Sequence, residues 1–123
     1  MDPSDRSQAN EPDIATSGGE AVLVLITTAT RDEADRIARD LVEQRLAACV
    51  TIVPQVRSFF WWENTLSDEE EVLLMMKTRR SHVRELIVKL KAIHSYSVPE
   101  IIALPIVEGS TSYLEWVDEA TRK

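Results

Sequence analysis

Glycine is nearly missing from this chain: three in 123 residues, two of them adjacent at 18 and 19. That leaves Gly109 alone in the rest, so no glycine-rich phosphate loop exists anywhere in it. Cysteine is scarcer still. The single thiol, Cys49, cannot build an intrachain disulfide framework, and it fits a reducing compartment. Basic charge is also short, with 14 Lys and Arg against 21 Asp and Glu. Nucleic acid requires a basic face to replace condensed counterions, so the balance argues against such a partner. No apolar run approaches the roughly 20 residues that cross a bilayer, and no membrane partner is expected. The first residues are acidic, without the basic and apolar regions of a secretory signal, and transit peptides are poor in acids. Together these features predict a cytoplasmic protein.

Much of the negative charge lies at one end. Residues 1–20 hold Asp2, Asp5, Glu11, Asp13 and Glu20 against Arg6. The remainder is close to balanced, with 16 acids and 13 bases. Residues 1–19 are mostly Pro, Ser, Asp, Asn and Gly, and are expected to form a disordered acidic tail. Residues 20–123 are enough for one domain with a modest core.

What is present is a regular succession of apolar patterns. Ala21–Thr28 is a continuous apolar run, the mark of a strand buried on both faces. Thr30 and Glu33 form a capping-box pattern, predicting a helix with Ala34, Ile37, Ala38, Leu41 and Val42 on its apolar stripe. From Cys49 to Trp62 β-branched and aromatic residues dominate, which predicts one unusually long strand with an irregularity at Pro54. It closes on Phe59, Phe60, Trp61 and Trp62, which alternate between the two faces of a sheet. A turn over 63–67 and a return strand over 69–78 complete a long hairpin. A second helix is predicted from Ser81, burying Val83, Leu86, Ile87, Leu90 and Ile93. An edge strand over 100–107, marked by Pro105, and a short helix after Gly109 follow. The order β-α-β-β-α-β plus a C-terminal helix predicts an α+β, ferredoxin-like sandwich with an extended hairpin between its second and third strands.

At this level of detail the chain resembles the CutA family of divalent-cation tolerance proteins. The carrying residues are Arg45-Leu-Ala-Ala-Cys-Val-Thr-Ile-Val-Pro54, Lys77-Thr78, His94-x-Tyr96-x-x-Pro99-Glu100, Ala103-Leu-Pro-Ile106, Gly109 and Tyr113-Leu-x-Trp116. The resemblance implies a ferredoxin-like subunit in a tight homotrimer, built like PII signalling proteins, with clefts between subunits. It also implies a role in metal tolerance without enzymatic activity, and a ligand cleft involving Lys77, Tyr96, Glu100 and Trp116. The cleft's expected occupant is a small anion or a metal ion. Copper-binding bacterial members use a cysteine late in the first strand and adjacent histidines after the second helix. Here those positions read Ile26 and Ile93-His94, so His94 is the metal-ligand candidate that remains and a divalent cation such as copper is expected to bind weakly.

Each candidate has a plainer role beside the chemical one. Cys49, between Ala48 and Val50, is expected to pack as a small hydrophobe. His94 at a helix C-terminus serves as a cap, and His82 among arginines is expected to be solvated. The four aromatics are better explained as an intersubunit core than as a base-stacking platform, given the missing basic groove. A second function on the same fold is an acylphosphatase-like hydrolase, whose phosphate would sit at the loop Thr27-Thr-Ala-Thr-Arg31.

Overall fold

A computed structural model describes residues 12–123. Four strands form the main antiparallel sheet: β2 (Ala21–Thr28), β3 (Cys49–Trp62), β4 (Thr65–Arg79) and β5 (Ile101–Pro105). Their spatial order is β3-β4-β2-β5, so β2 lies inside the sheet, although only one of its faces is buried and not both as expected, and the proline-bearing β5 lies at an edge, as expected. Helices α1 (Arg31–Glu43) and α2 (Val83–Ile93) supply the crossovers of a ferredoxin-like fold. Between them and the sheet lies the core, with Val24, Ile26, Leu41, Leu46, Leu74, Met76, Leu86 and Leu90 all fully buried.

The helices bury narrower stripes than their periodicity predicts. Val42 and Ile93, each in the last turn of its helix, stay exposed. Thr30 caps α1 as expected, its Oγ1 accepting from the Glu33 amide at 3.2 Å. The reciprocal half of the capping box is replaced, since the Glu33 carboxylate is buried and bonded elsewhere.

The hairpin is long, 14 residues in β3 and 15 in β4 against eight in β2. Its register slips between Val53 and Val56, which places a bulge at Pro54-Gln55 where the missing amide predicted an irregularity. The turn is tighter than expected. Trp62 already pairs with Thr65, leaving only Glu63 and Asn64 to reverse the chain, with φ of 50° and 62°. Two consecutive positive φ values mark a type I′ turn, whose twist matches the strands.

The expected acidic tail needs correction. Residues 1–11 lie outside the described residues, but Ala15–Thr16 (β1) pairs antiparallel with Glu108–Gly109 (β6). Asp13 accepts from the amide and hydroxyl of Ser112, at 3.2 and 2.8 Å, in the first turn of α3 (Thr111–Ala120). That carboxylate satisfies donors at a helix N-terminus, which low apolar content could not foretell.

Alternate residues of β2 and β4 face away from α1 and α2. Leu23, Leu25, Leu73 and Met75 are only half-buried there, and Ile102 and Leu104 of β5 remain 49% and 41% exposed beside them. Helix α3 crosses one end of this face, where Arg79 donates to the Thr121 hydroxyl at 3.0 Å and to the Asp118 carbonyl. The middle stays open.

Candidate functional site

The far end of the open face is shaped by the loop after α2. Glu33, 6% exposed, reaches from the first turn of α1 and accepts from the Ser95 amide at 2.8 Å and its hydroxyl at 2.9 Å. Burial alone would raise that carboxyl. The two Ser95 bonds outweigh it and hold Glu33 below its usual value.

His94 sits at the C-cap of α2, its backbone amide donating to the Leu90 carbonyl at 2.8 Å, but the ring expected to cap the helix dipole turns inward instead. The Tyr96 amide donates to Nδ1 at 2.9 Å, so that nitrogen is the acceptor and the proton sits on Nε2. Nε2–H then donates to the Thr27 carbonyl at 2.7 Å. Both ring nitrogens are thereby committed, and His94 offers no lone pair to an ion. Among the described residues, no three His, Cys, Asp or Glu side chains gather as a metal-binding group. The assignment of His94 as a metal ligand is therefore corrected: the imidazole locks the loop that carries Tyr96. These residues do not fit a tight metal centre.

Tyr96 is thus aimed across the sheet end, where its hydroxyl donates to Glu71 Oε2 at 2.8 Å. Burial first, then the bond to Glu71 and the charges of Glu71, Glu33 and Glu69, push its phenol well above the ordinary range. A cleft of about 400 Å3 opens beside this pair, lined by Thr27, Phe60, Trp62 and Glu100 among others. A second lobe of about 500 Å3 shares Phe60, Trp62, Tyr96 and Val98 and is rimmed by Glu69 and Glu70.

Lys77 and Trp116 lie elsewhere. Lys77 Nζ donates to Thr51 Oγ1 at 3.2 Å, opposite Cys49 in the β3–β4 register. Cys49 Sγ approaches the Tyr113 hydroxyl at 3.8 Å, and Tyr113 leans on Trp116 with ring centroids 5.5 Å apart. Burial and the Cys49 contact push the Tyr113 phenol up to about 12. Cys49 is only partly buried, so the packing role expected for it is half realised. Glu71 and Lys77 are six residues apart on one strand, about 20 Å at the rise of a β-strand. Within one chain, then, the four expected cleft residues fall into two pairs, Tyr96 with Glu100 and Lys77 with Trp116.

Several groups here escaped the sequence reading. Glu33 passed as a cap, and Glu71 went without a site role in the return strand. The period-2 pattern held the clue for Glu71, since counting back from Met75 and Leu73 places it on the open face. His82, expected in solvent, sits 2.6 Å from the Thr121 carbonyl. The loop proposed for a phosphate is already spent: the Thr27 carbonyl serves His94, the Thr28 hydroxyl donates to the Thr30 carbonyl at 3.0 Å, and Thr30 caps α1. The Glu33 carboxylate beside it would repel a phosphate.

The sequence profile described as CutA1 divalent ion tolerance protein matches residues 22–120. The chain belongs to the CutA family. The divalent-cation tolerance protein CutA of Thermus thermophilus is 46% identical over 99 residues, covering 80% of this chain and 96% of that protein. The solved structure of the Thermus protein superposes with a TM-score of 0.81 over 83% of this chain and 99% of that one. Rice Protein CutA 1, chloroplastic, is 42% identical over 103 residues, 84% of this chain but only 58% of its own length. The chain thus spans little more than half of that plant relative. A third CutA structure, from Archaeoglobus fulgidus and described as periplasmic, is 40% identical with a TM-score of 0.80, covering 83% of this chain and 99% of that one. CutA proteins bearing chloroplast and periplasm in their names overturn the expectation of a cytoplasmic location, which rested on the absence of a recognisable signal. The family is named for tolerance of divalent cations, a trait and not a reaction.

Proposed function

We propose that this CutA chain acts as a homotrimer of the cation-tolerance type, without catalytic turnover, and holds its ligand in clefts between subunits. The observation that carries this reading is the open sheet face, where six large apolar side chains stand half-buried or exposed in one chain. A patch of that kind on a soluble domain calls for a partner surface. Closed threefold assembly covers it with copies of itself and leaves no sheet edge to propagate. It would also bring the Lys77–Trp116 end of one chain to the Tyr96–Glu100 end of another, completing a cleft that one chain holds in halves. In such a cleft a divalent cation such as copper is held weakly through Glu100 and Glu71, and Lys77 is the counterpart for a small anion.

Sedimentation velocity at micromolar concentration tests the assembly. The wild type should run as a trimer, and Ile102→Glu should fall to monomer or unfold, because it buries a charge without a partner. A folded wild-type monomer refutes the assembly. Calorimetry with copper(II) tests the ligand: uptake should be weak, reduced in Glu100→Gln, and tight stoichiometric uptake would sink this account.

A further inference from the structure

We propose that the cleft beneath the hairpin binds a small organic cation of the ammonium type, a reading that rests on Tyr96 and Glu100 facing a ligand. Four aromatic residues, Phe59, Phe60, Trp62 and Tyr96, line the cleft, and Phe60 and Trp62 stay 38% and 43% exposed. Glu71 stands at its floor, 6% exposed. One of its oxygens takes the Tyr96 hydroxyl, and a carboxylate has acceptor capacity beyond that single bond. No Lys or Arg lines either lobe. Within its own chain this nearly buried carboxylate has no basic partner, and its negative field favours a cation, for which the Lys77 that assembly brings to the cleft is the competitor.

The walls decide which cation. An inorganic divalent ion needs several oxygen or nitrogen ligands, and the rings supply none. No group of three ligating side chains occurs among the described residues. An alkylammonium group is matched by such walls instead, because its diffuse charge is attracted to ring faces while its methyl or methylene groups bury against them. Glu71 and Glu100 disfavour an anion at this end of the cleft, away from Lys77. The raised phenol of Tyr96 keeps that side chain neutral and donating to Glu71 at all working pH values. Cleft volumes of about 400 and 500 Å3 suit a small molecule.

Tetramethylammonium chloride titrated into the full chain, against sodium chloride of equal ionic strength, tests this by tryptophan fluorescence and calorimetry. Saturable uptake is expected. Glu71→Gln, which keeps an acceptor for Tyr96, should weaken it roughly tenfold by removing the charge. Val98→Lys, at a position 69% exposed, places a tethered ammonium at the mouth and should abolish uptake without disturbing the fold. No saturable response from folded wild type, or an equal response from both variants, overturns the proposal. Copper uptake sensitive to Glu71→Gln without tetramethylammonium uptake overturns it while leaving the intersubunit cleft standing. A monomer that still takes up tetramethylammonium supports it and retires the trimer alone.

Discussion

At the scale of single residues, the decisive group is Glu33. It is spent on a loop 62 positions away, and that loop carries His94 and Tyr96. Because its folded pKa lies below the usual 4.5, its ionised form favours folding. This contribution is complete above the unfolded value and is lost as pH falls through the lower folded one. Glu33→Gln should therefore cost about 1–3 kcal/mol at pH 7, the range for charge-assisted bonds to a buried group. The gap from wild type should close in denaturant titrations as pH falls through the lowered folded value. A gap independent of pH would assign the loss to shape and not to charge. The tyrosines give a second reading. Both of the chain's tyrosines, Tyr96 and Tyr113, have raised phenols, so folded protein should show little tyrosinate absorbance at pH 10. Cys49→Ala should advance the Tyr113 step, since the thiol contributes to its shift. A full tyrosinate signal at pH 10 in folded protein would contradict these environments. Tyr96 and His94 were legible in the sequence as a motif. Their locking partners were not, because a capping-box glutamate reads as local and nothing in its neighbourhood names Ser95.

The elements were mostly legible, because alternation and helical spacing each require one face to be dry. β2 read correctly as a strand with neighbours on each side but wrongly as one buried on both faces, since Leu23 and Leu25 are only half-buried, and Pro54 read correctly as a break in register. Misreadings fell where backbone chemistry outweighs pattern. The turn was drawn too wide because neither Glu63 nor Asn64 is glycine, yet both adopt positive φ. Replacing them with Asn-Gly should stabilise the protein by about 1 kcal/mol in denaturant titrations at fixed concentration. Loss of stability would mean that Glu63 makes a contact that offsets its strain. The strap β1 went unread because two paired residues have no period. Deleting residues 1–18 should lower the thermal midpoint by several degrees, roughly 1–2 kcal/mol for its ladder bonds and the Asp13 anchor. An unchanged midpoint would make the docking incidental.

For the whole molecule, the sequence disclosed a mismatch before any coordinates did: too much apolar strand for one core. The structure places much of the surplus on the open face, with Phe59 and Trp61 exposed on the opposite side of the hairpin, and sets the Tyr96 and Lys77 ends about 20 Å apart by strand rise. That separation was invisible in sequence, where the four expected residues belong to one motif set. The strap adds a consequence in time. Ala15 meets Gly109, so this ladder closes a segment of more than 90 residues. At a synthesis rate of about 5–20 residues per second, the N-terminal half of that pairing waits several seconds for its partner to be made. β2 waits as well, since both of its neighbours follow it in the chain. A nascent CutA chain therefore holds its most apolar strand unpaired until β4 has been made, and the strap can latch only after β6 follows.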